Sequence, residues 1–166
     1  MTSPTAGWIA QLVSRELEGF ERELALFADE TAIWRTAPGV TNSAGNLALH
    51  ICGNLQHFVG RHLGATSYVR DRDAEFSRRG VPREQVIAEL RKTGEIVRDT
   101  MGRVTDEMLA LPYPEAVGGV TMTTGLFLVH LVSHLGFHLG QAGYLRRMLT
   151  GDTRSAGPLP LKALAS

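Results

Sequence analysis

The chain holds a single cysteine, Cys52, in 166 residues, so it can close no intramolecular disulfide, and a reducing compartment, the cytoplasm, is expected. It has no excess charge of either sign. Lys plus Arg and Asp plus Glu number 17 each, so no net field draws the protein to nucleic acid or to an anionic membrane. Basic residues do gather between Arg70 and Arg83, but Asp71, Asp73 and Glu75 interleave with them, and the stretch reads as solvated and self-paired. Met1 to Ala6 lacks the charged and apolar regions of a signal peptide. Neither an internal repeat nor a low-complexity segment is visible. Gly125 to Leu145 is the one long apolar run, and about twenty such residues could cross a bilayer. Ionisable rings on one of its faces weigh against that reading.

Those rings are the main thing the chain does have. His130, His134 and His138 recur at four-residue intervals, and residues four apart on a helix lie one above the other. Phe127, Leu131, Leu145 and Leu149 fall within about 60° of His134 around the axis, which turns the polar stripe toward the core. Unpartnered imidazoles cost free energy to bury. A lone histidine on such a face is more often a satisfied core residue. Two of them four apart, however, can converge on one ion, and neutral imidazole suits zinc, nickel and iron.

The remainder reads as helices. Trp8, Ile9, Leu12, Val13, Leu17, Phe20, Leu24 and Phe27 repeat at three and four, predicting an amphipathic helix from Thr5 to about Thr31. Ala37-Pro38-Gly39 breaks the chain. A second helix opens at Asn42 or Ser43, both good capping residues, and runs to about Leu63. Gly45, Gly53 and Gly60 inside it suit close approach of a neighbouring backbone or a ligand. The charged connector Ala65–Gly80 follows, and Pro82 opens a third helix that lasts to about Arg103. A weak helical turn at Thr105–Leu109 and the loop Pro112–Gly119 precede the fourth helix, which is capped within Thr121–Thr124, lasts to about Leu149 and stops at Gly151. Four long helices predict an all-α, up-and-down-type four-helix bundle over residues 1–151. The tail, 152–166, reads as a loosely docked extension.

Catalytic metal sites commonly use three protein ligands. The other histidines, His50, His57 and His62, all lie on the second helix. His50 shares a face with Asn46, Asn54, His57 and Arg61. The helix's apolar arc of Leu47, Ile51, Cys52, Leu55, Phe58 and Val59 centres elsewhere, so this face is either solvated or part of a site.

The block Asn46-Leu-Ala-Leu-His50-Ile-Cys-Gly-Asn54-Leu-Gln-His-Phe58, together with His134-Leu-Gly-Phe-His138-Leu-Gly140-Gln141, resembles the DinB/YfiT-like family of metal-binding four-helix proteins. Within it, the Asn-Leu-x-Leu-His wording and Arg70–Phe76 resemble a subgroup of unassigned activity. The resemblance spans roughly Trp8 to Leu149. It implies metal ligands at His50, His134 and His138, and one divalent transition ion, zinc or nickel first and iron next. His130 has no counterpart among the family's ligands. It also implies a homodimer, to which Gly136, Gly140 and Gly143, on the side of the last helix away from its histidines, would lend close contact.

Members of such a family include metal-dependent transferases using low-molecular-weight thiols and a thiol-dependent isomerase, while others are described only as metal-dependent hydrolases. The resemblance therefore implies a metal-dependent enzyme acting on a small molecule, first as a thiol-dependent S-transferase. Metal-assisted hydrolysis is the alternative, and a non-catalytic metal-binding stress-response protein is the rival outside enzymes. No glutamate lies between His134 and His138, so the H-E-x-x-H arrangement with its general base is absent. Gln141, Asn54 and His130 flank the implied site as candidates to orient a ligand or touch substrate. His57 is expected to be exposed, and His62 to lie apart from the metal. Cys52 points about 160° away from His50 around the helix, so a reacting thiol would come from a cosubstrate.

Overall fold

The computed structural model describes residues 1–157 and residue 164. Four long helices form the body: α1 (Pro4–Ala25), α2 (Ala44–Leu55), α4 (Arg83–Met101) and α6 (Thr124–Thr150), with short α3 (Arg72–Ser77) and α5 (Asp106–Ala110) between them. Around the bundle the long helices follow the order α1, α4, α2, α6, so that α1 and α2 face each other across the diagonal. This places α2 between α4 and α6. Among the described residues no helix is long and apolar enough to cross a membrane.

Capping chemistry sets most helix starts. Ser3 Oγ accepts from Ala6 N at 3.3 Å, with Pro4 at the first helical position. Ser43 Oγ likewise accepts from Asn46 N at 3.2 Å, Thr105 Oγ1 from Met108 N at 3.3 Å and Thr123 Oγ1 from Leu126 N at 3.4 Å. Each pairing satisfies an orphan amide of the first turn. α6 ends at Gly151, whose φ of 68° is the left-handed conformation glycine adopts without strain.

Four expectations need correction. α1 stops at Ala25 rather than near Thr31, because the Asp29 carboxylate accepts from Thr31 N at 2.9 Å and starts a separate 3-10 turn, Glu30–Trp34. That local bond outcompetes continuation of the helix and turns Ile33 fully into the core. Trp8, counted with the apolar stripe, is 63% exposed; it lies one step off the row Ile9, Val13, Leu17, Phe20, Leu24 and Phe27, all buried. α2 does not continue as α-helix but widens into a π-turn, Gln56–Arg61. The connector 65–80 is self-paired but not simply solvated: it contains α3, and Glu75 on it is buried.

Tail residues 152–157 are pinned at the far side of α1 and α6. The fully buried Arg146 side chain lies 2.6 Å from Glu23 Oε2 through Nε, and Ala156 N donates to Glu23 Oε1 at 2.9 Å. Arg146 also donates to the Arg154 carbonyl. The rest of the expected extension, apart from Leu164, lies outside the described residues.

Candidate metal centre

His50 sits in the middle of α2, and His134 and His138 occupy successive turns of α6, the helix packed beside it. Their Nε2 atoms turn toward one another. His134 Nε2 lies 3.4 Å from His50 Nε2 and 3.0 Å from His138 Nε2, and a ligand atom from each ring lies within 4.8 Å of the other two. With metal–nitrogen bonds near 2.0–2.1 Å, neighbouring ligands stand about 3.3 Å apart in a tetrahedron and about 2.9 Å apart in cis octahedral positions. The three rings could hold one divalent transition ion.

Hydrogen bonds on the opposite ring nitrogens favour the ligating form. His50 Nδ1–H donates to Glu75 Oε2 at 2.8 Å, and His138 Nδ1–H donates to Gln141 Oε1 at 2.7 Å. A proton held on Nδ1 leaves the Nε2 lone pair free. His134 Nδ1 is buried with no partner. Burial, followed by the nearby His138 and His50, pushes His134 down to about 4. Burial also lowers His138, against the opposing pull of Gln141. Near neutral pH these two rings are therefore uncharged, as a metal ligand must be.

Glu75 is held in turn by Arg70, whose Nε and Nη2 donate to its two oxygens at 2.7 and 2.9 Å. Burial alone would raise the Glu75 carboxyl. The Arg70 and His50 hydrogen bonds outweigh it and hold the group below its usual range. Asn46 fixes where α3 lies: its Nδ2 donates to the carbonyls of Glu75 and Arg78 at 2.9 and 3.1 Å, while its Oδ1 accepts from Ser43 Oγ at 2.7 Å. Gly53 completes the fit, since a Cβ there would stand 2.8 Å from Glu75 Cδ. The sequence reading gave Glu75 and Arg70 no part in the site. It placed Asn46 on the face of His50 without assigning it a role.

The face of α2 carrying His50 is thus buried, with Asn46 at 0%, His50 at 6% and Asn54 at 7% exposure. Asn54 lies one turn beyond His50, its Oδ1 buried without a partner. Gln141 contacts His138 directly. His130 is exposed; its ring stacks 6.0 Å from those of both His134 and Phe127 and does not join the cluster. The stripe on α6 therefore emerges from the core toward solvent instead of facing it along its length. His57, expected to be exposed, is half-buried, its side chain 18% accessible. Cys52 is buried and its thiol is pushed up to about 12, chiefly by that burial.

Beside the cluster lies a cleft of about 320 Å³. Gln141, Tyr144, Leu145 and Met148 of α6 line one wall, and residues 39–42 with Leu47 the other. Its volume is at the lower end for small-molecule sites.

Among solved structures, the chain is similar to a conserved protein from Enterococcus faecalis, with 16% identity and a TM-score of 0.71 over 92% of this chain and 100% of that one. It is also similar to a DinB-like protein from Bacillus cereus ATCC 10987, with 22% identity and a TM-score of 0.61 over 81% and 85% of the two chains. No curated protein matches. The shared helical fold agrees with the match of residues 12–142 to the DinB superfamily model, and the chain belongs to that superfamily.

Proposed function

We propose that the protein is a metal-dependent enzyme that joins a low-molecular-weight thiol, through its sulfur, to a small electrophile, with His50, His134 and His138 holding one zinc or nickel ion, or iron. The observation that carries the reading is the convergence of three Nε2 atoms, two of them on rings whose outer nitrogen is already committed to Glu75 or Gln141. When bound, such an ion supplies Lewis acidity, lowering the pKa of a thiol or water placed beside it.

What the chain itself offers favours the thiol. Cys52 is buried and held protonated, so the nucleophilic sulfur belongs to a cosubstrate. Hydrolysis would draw on a general base within reach of the attacking water, a histidine or a carboxylate. Among the described residues, the carboxylate bonded to the cluster is Glu75, and both its oxygens are committed to Arg70 and His50. In the proposed transfer the thiol proton passes to solvent and the thiolate sulfur bonds to carbon; the carbon–halide bond breaks with its electron pair leaving on halide ion, or the epoxide carbon–oxygen bond breaks with the pair staying on oxygen, which takes a proton from solvent. Asn54 Oδ1 accepts from substrate or water, and His130 stands at the rim.

The test uses metal-loaded protein, a panel of cellular thiols, and an epoxide or haloarene as electrophile. Cobalt-substituted protein should change its visible spectrum when the right thiol is added, and the electrophile should disappear faster than in the thiol-only control. His134→Ala should abolish the acceleration and Cys52→Ala should keep it. Ester or amide cleavage with a rate rising near pH 7, and no thiol response, would move the assignment to a hydrolase. Neither response in fully loaded protein would favour a non-catalytic metal-binding module.

A further inference from the structure

His57 and His62 belong to no part of the cluster above. Five residues apart on an α-helix, they would point about 140° apart around the axis. The π-turn Gln56–Arg61 removes most of that separation, because an i→i+5 ladder brings such residues toward one face. His62 N donates to His57 O at 3.3 Å. The two rings consequently stand with centroids 4.8 Å apart at 89°.

Glu115 reaches the same point from the loop between α5 and α6. That loop is tied by the bridges Pro112–Thr123 and Val117–Val120, the second closing a two-residue turn with Gly118 and Gly119 at φ 60° and 79°. Glu115 Oε2 lies 3.0 Å from His57 Nε2 and 2.8 Å from His62 Nε2. The first contact is a hydrogen bond. The second is close but misdirected, and His62 Nε2 remains buried without a hydrogen-bond partner. Ligands of one ion approach one another in this way, each lone pair directed at the ion and not at its neighbour. One ligand atom from each of the three residues lies within 4.8 Å of the others.

We propose that His57, His62 and Glu115 form a second binding site for a divalent transition ion. Two imidazoles and a carboxylate suit zinc or iron(II). His57 follows His50 by seven residues, about 10 Å of helical rise, whereas paired ions in a shared dinuclear site sit about 3.5–4 Å apart. The second ion is therefore mononuclear. It replaces the proton shared between His57 Nε2 and Glu115 and clips the 111–123 loop to the end of α2.

Zinc alone is the probe, with bound metal counted per chain after dialysis at micromolar free zinc. His62→Ala and Glu115→Gln should each lower the count by one ion, or weaken that ion by more than the roughly 10- to 100-fold that a change outside the ligands costs. His134→Ala should leave this ion in place whatever it does to the other cluster. A second readout guards against misfolding: zinc should raise the melting temperature of His134→Ala, and adding His62→Ala should remove the increase. Unchanged stoichiometry and affinity in folded His62→Ala and Glu115→Gln would overturn the site.

Discussion

Removing Glu75 tests whether the short helix α3 controls the metal centre. Glu75 touches the cluster only through His50 Nδ1, 2.8 Å away, and is itself clamped by Arg70. A hydrogen bond to a charged group contributes about 1.5–3 kcal/mol. Loss of such an outer partner typically weakens metal binding about 10- to 100-fold, or about 1.4–2.7 kcal/mol. The two estimates overlap, so Glu75→Ala should weaken zinc binding within that range.

Glu75→Gln retains an acceptor for His50 and should cost less than Glu75→Ala, although it leaves Arg70 without its counter-charge. Gly53→Ala should reproduce Glu75→Ala without touching the carboxylate chemically, because the added methyl occupies the space where the carboxylate lies. The assay is competition against a zinc chelator at neutral pH, with helical content checked by circular dichroism. To isolate this centre, all three changes are also made in a His62→Ala background. Folded Glu75→Ala protein that binds zinc as tightly as its parent would refute the coupling.

Arg146→Ala should destabilise the fold by about 3–5 kcal/mol, because it leaves the buried Glu23 carboxylate uncompensated; chemical unfolding measures it, and a loss below 1 kcal/mol, roughly the value of an exposed pair, would contradict the burial argument. With Cys52 raised to about 12, only about one thiol in ten thousand is ionised at pH 8, so iodoacetamide should label native protein far more slowly than urea-unfolded protein; equal rates would show an accessible thiol. α6 leaves Leu126, Val129, Phe137, Tyr144 and Met148 between 54% and 70% exposed, a face suited to a homodimer, and Phe137→Glu should shift sedimentation from dimer to monomer. Of the glycines expected to assist that contact, Gly136 and Gly140 have open space beside them, whereas Gly143 packs on Glu23 inside the chain; a monomeric wild type would assign the exposed face no such role.

Periodicity and capping made the four long helices legible. Ser43, Thr123 and Gly151 are short-range signals whose physics lies within one turn of the chain. The pair His134/His138 was legible for the same reason, since four-residue spacing fixes a shared face. His50 required family resemblance. Its helix reads as half polar, and the elements that cover this polar face, α3 and α6, come from later in the chain. α3 was hidden because a six-residue helix with alternating charges has no apolar period. Glu75 lies buried only because Arg70, His50 and the missing Cβ of Gly53 coincide around it. The π-turn was equally invisible: its effect, aligning His57 with His62, depends on a hydrogen-bond register that the sequence pattern does not encode.

The ring order of the bundle explains why so many polar side chains on α2 need internal partners. Placed between α4 and α6 and covered by α3, this helix has no solvated side on which Asn46, His50, Asn54 and Gln56 could be satisfied by bulk water. The great majority of buried polar groups are paired. Asn46 meets α3 and Ser43; Gln56 Nε2 donates to Glu89 Oε1 at 2.7 Å and Thr93 Oγ1 at 2.9 Å on α4; His50 meets Glu75. Asn54 Oδ1 lacks a partner on this helix, as His134 Nδ1 does on α6. Turning His134 Nε2 toward the other histidines puts its proton on Nδ1, so the two orphans are an acceptor and a donor. A bound water or substrate that gives a hydrogen to Asn54, and one that takes a hydrogen from His134, would complete the polar pairing that the chain leaves unfinished around its histidine cluster.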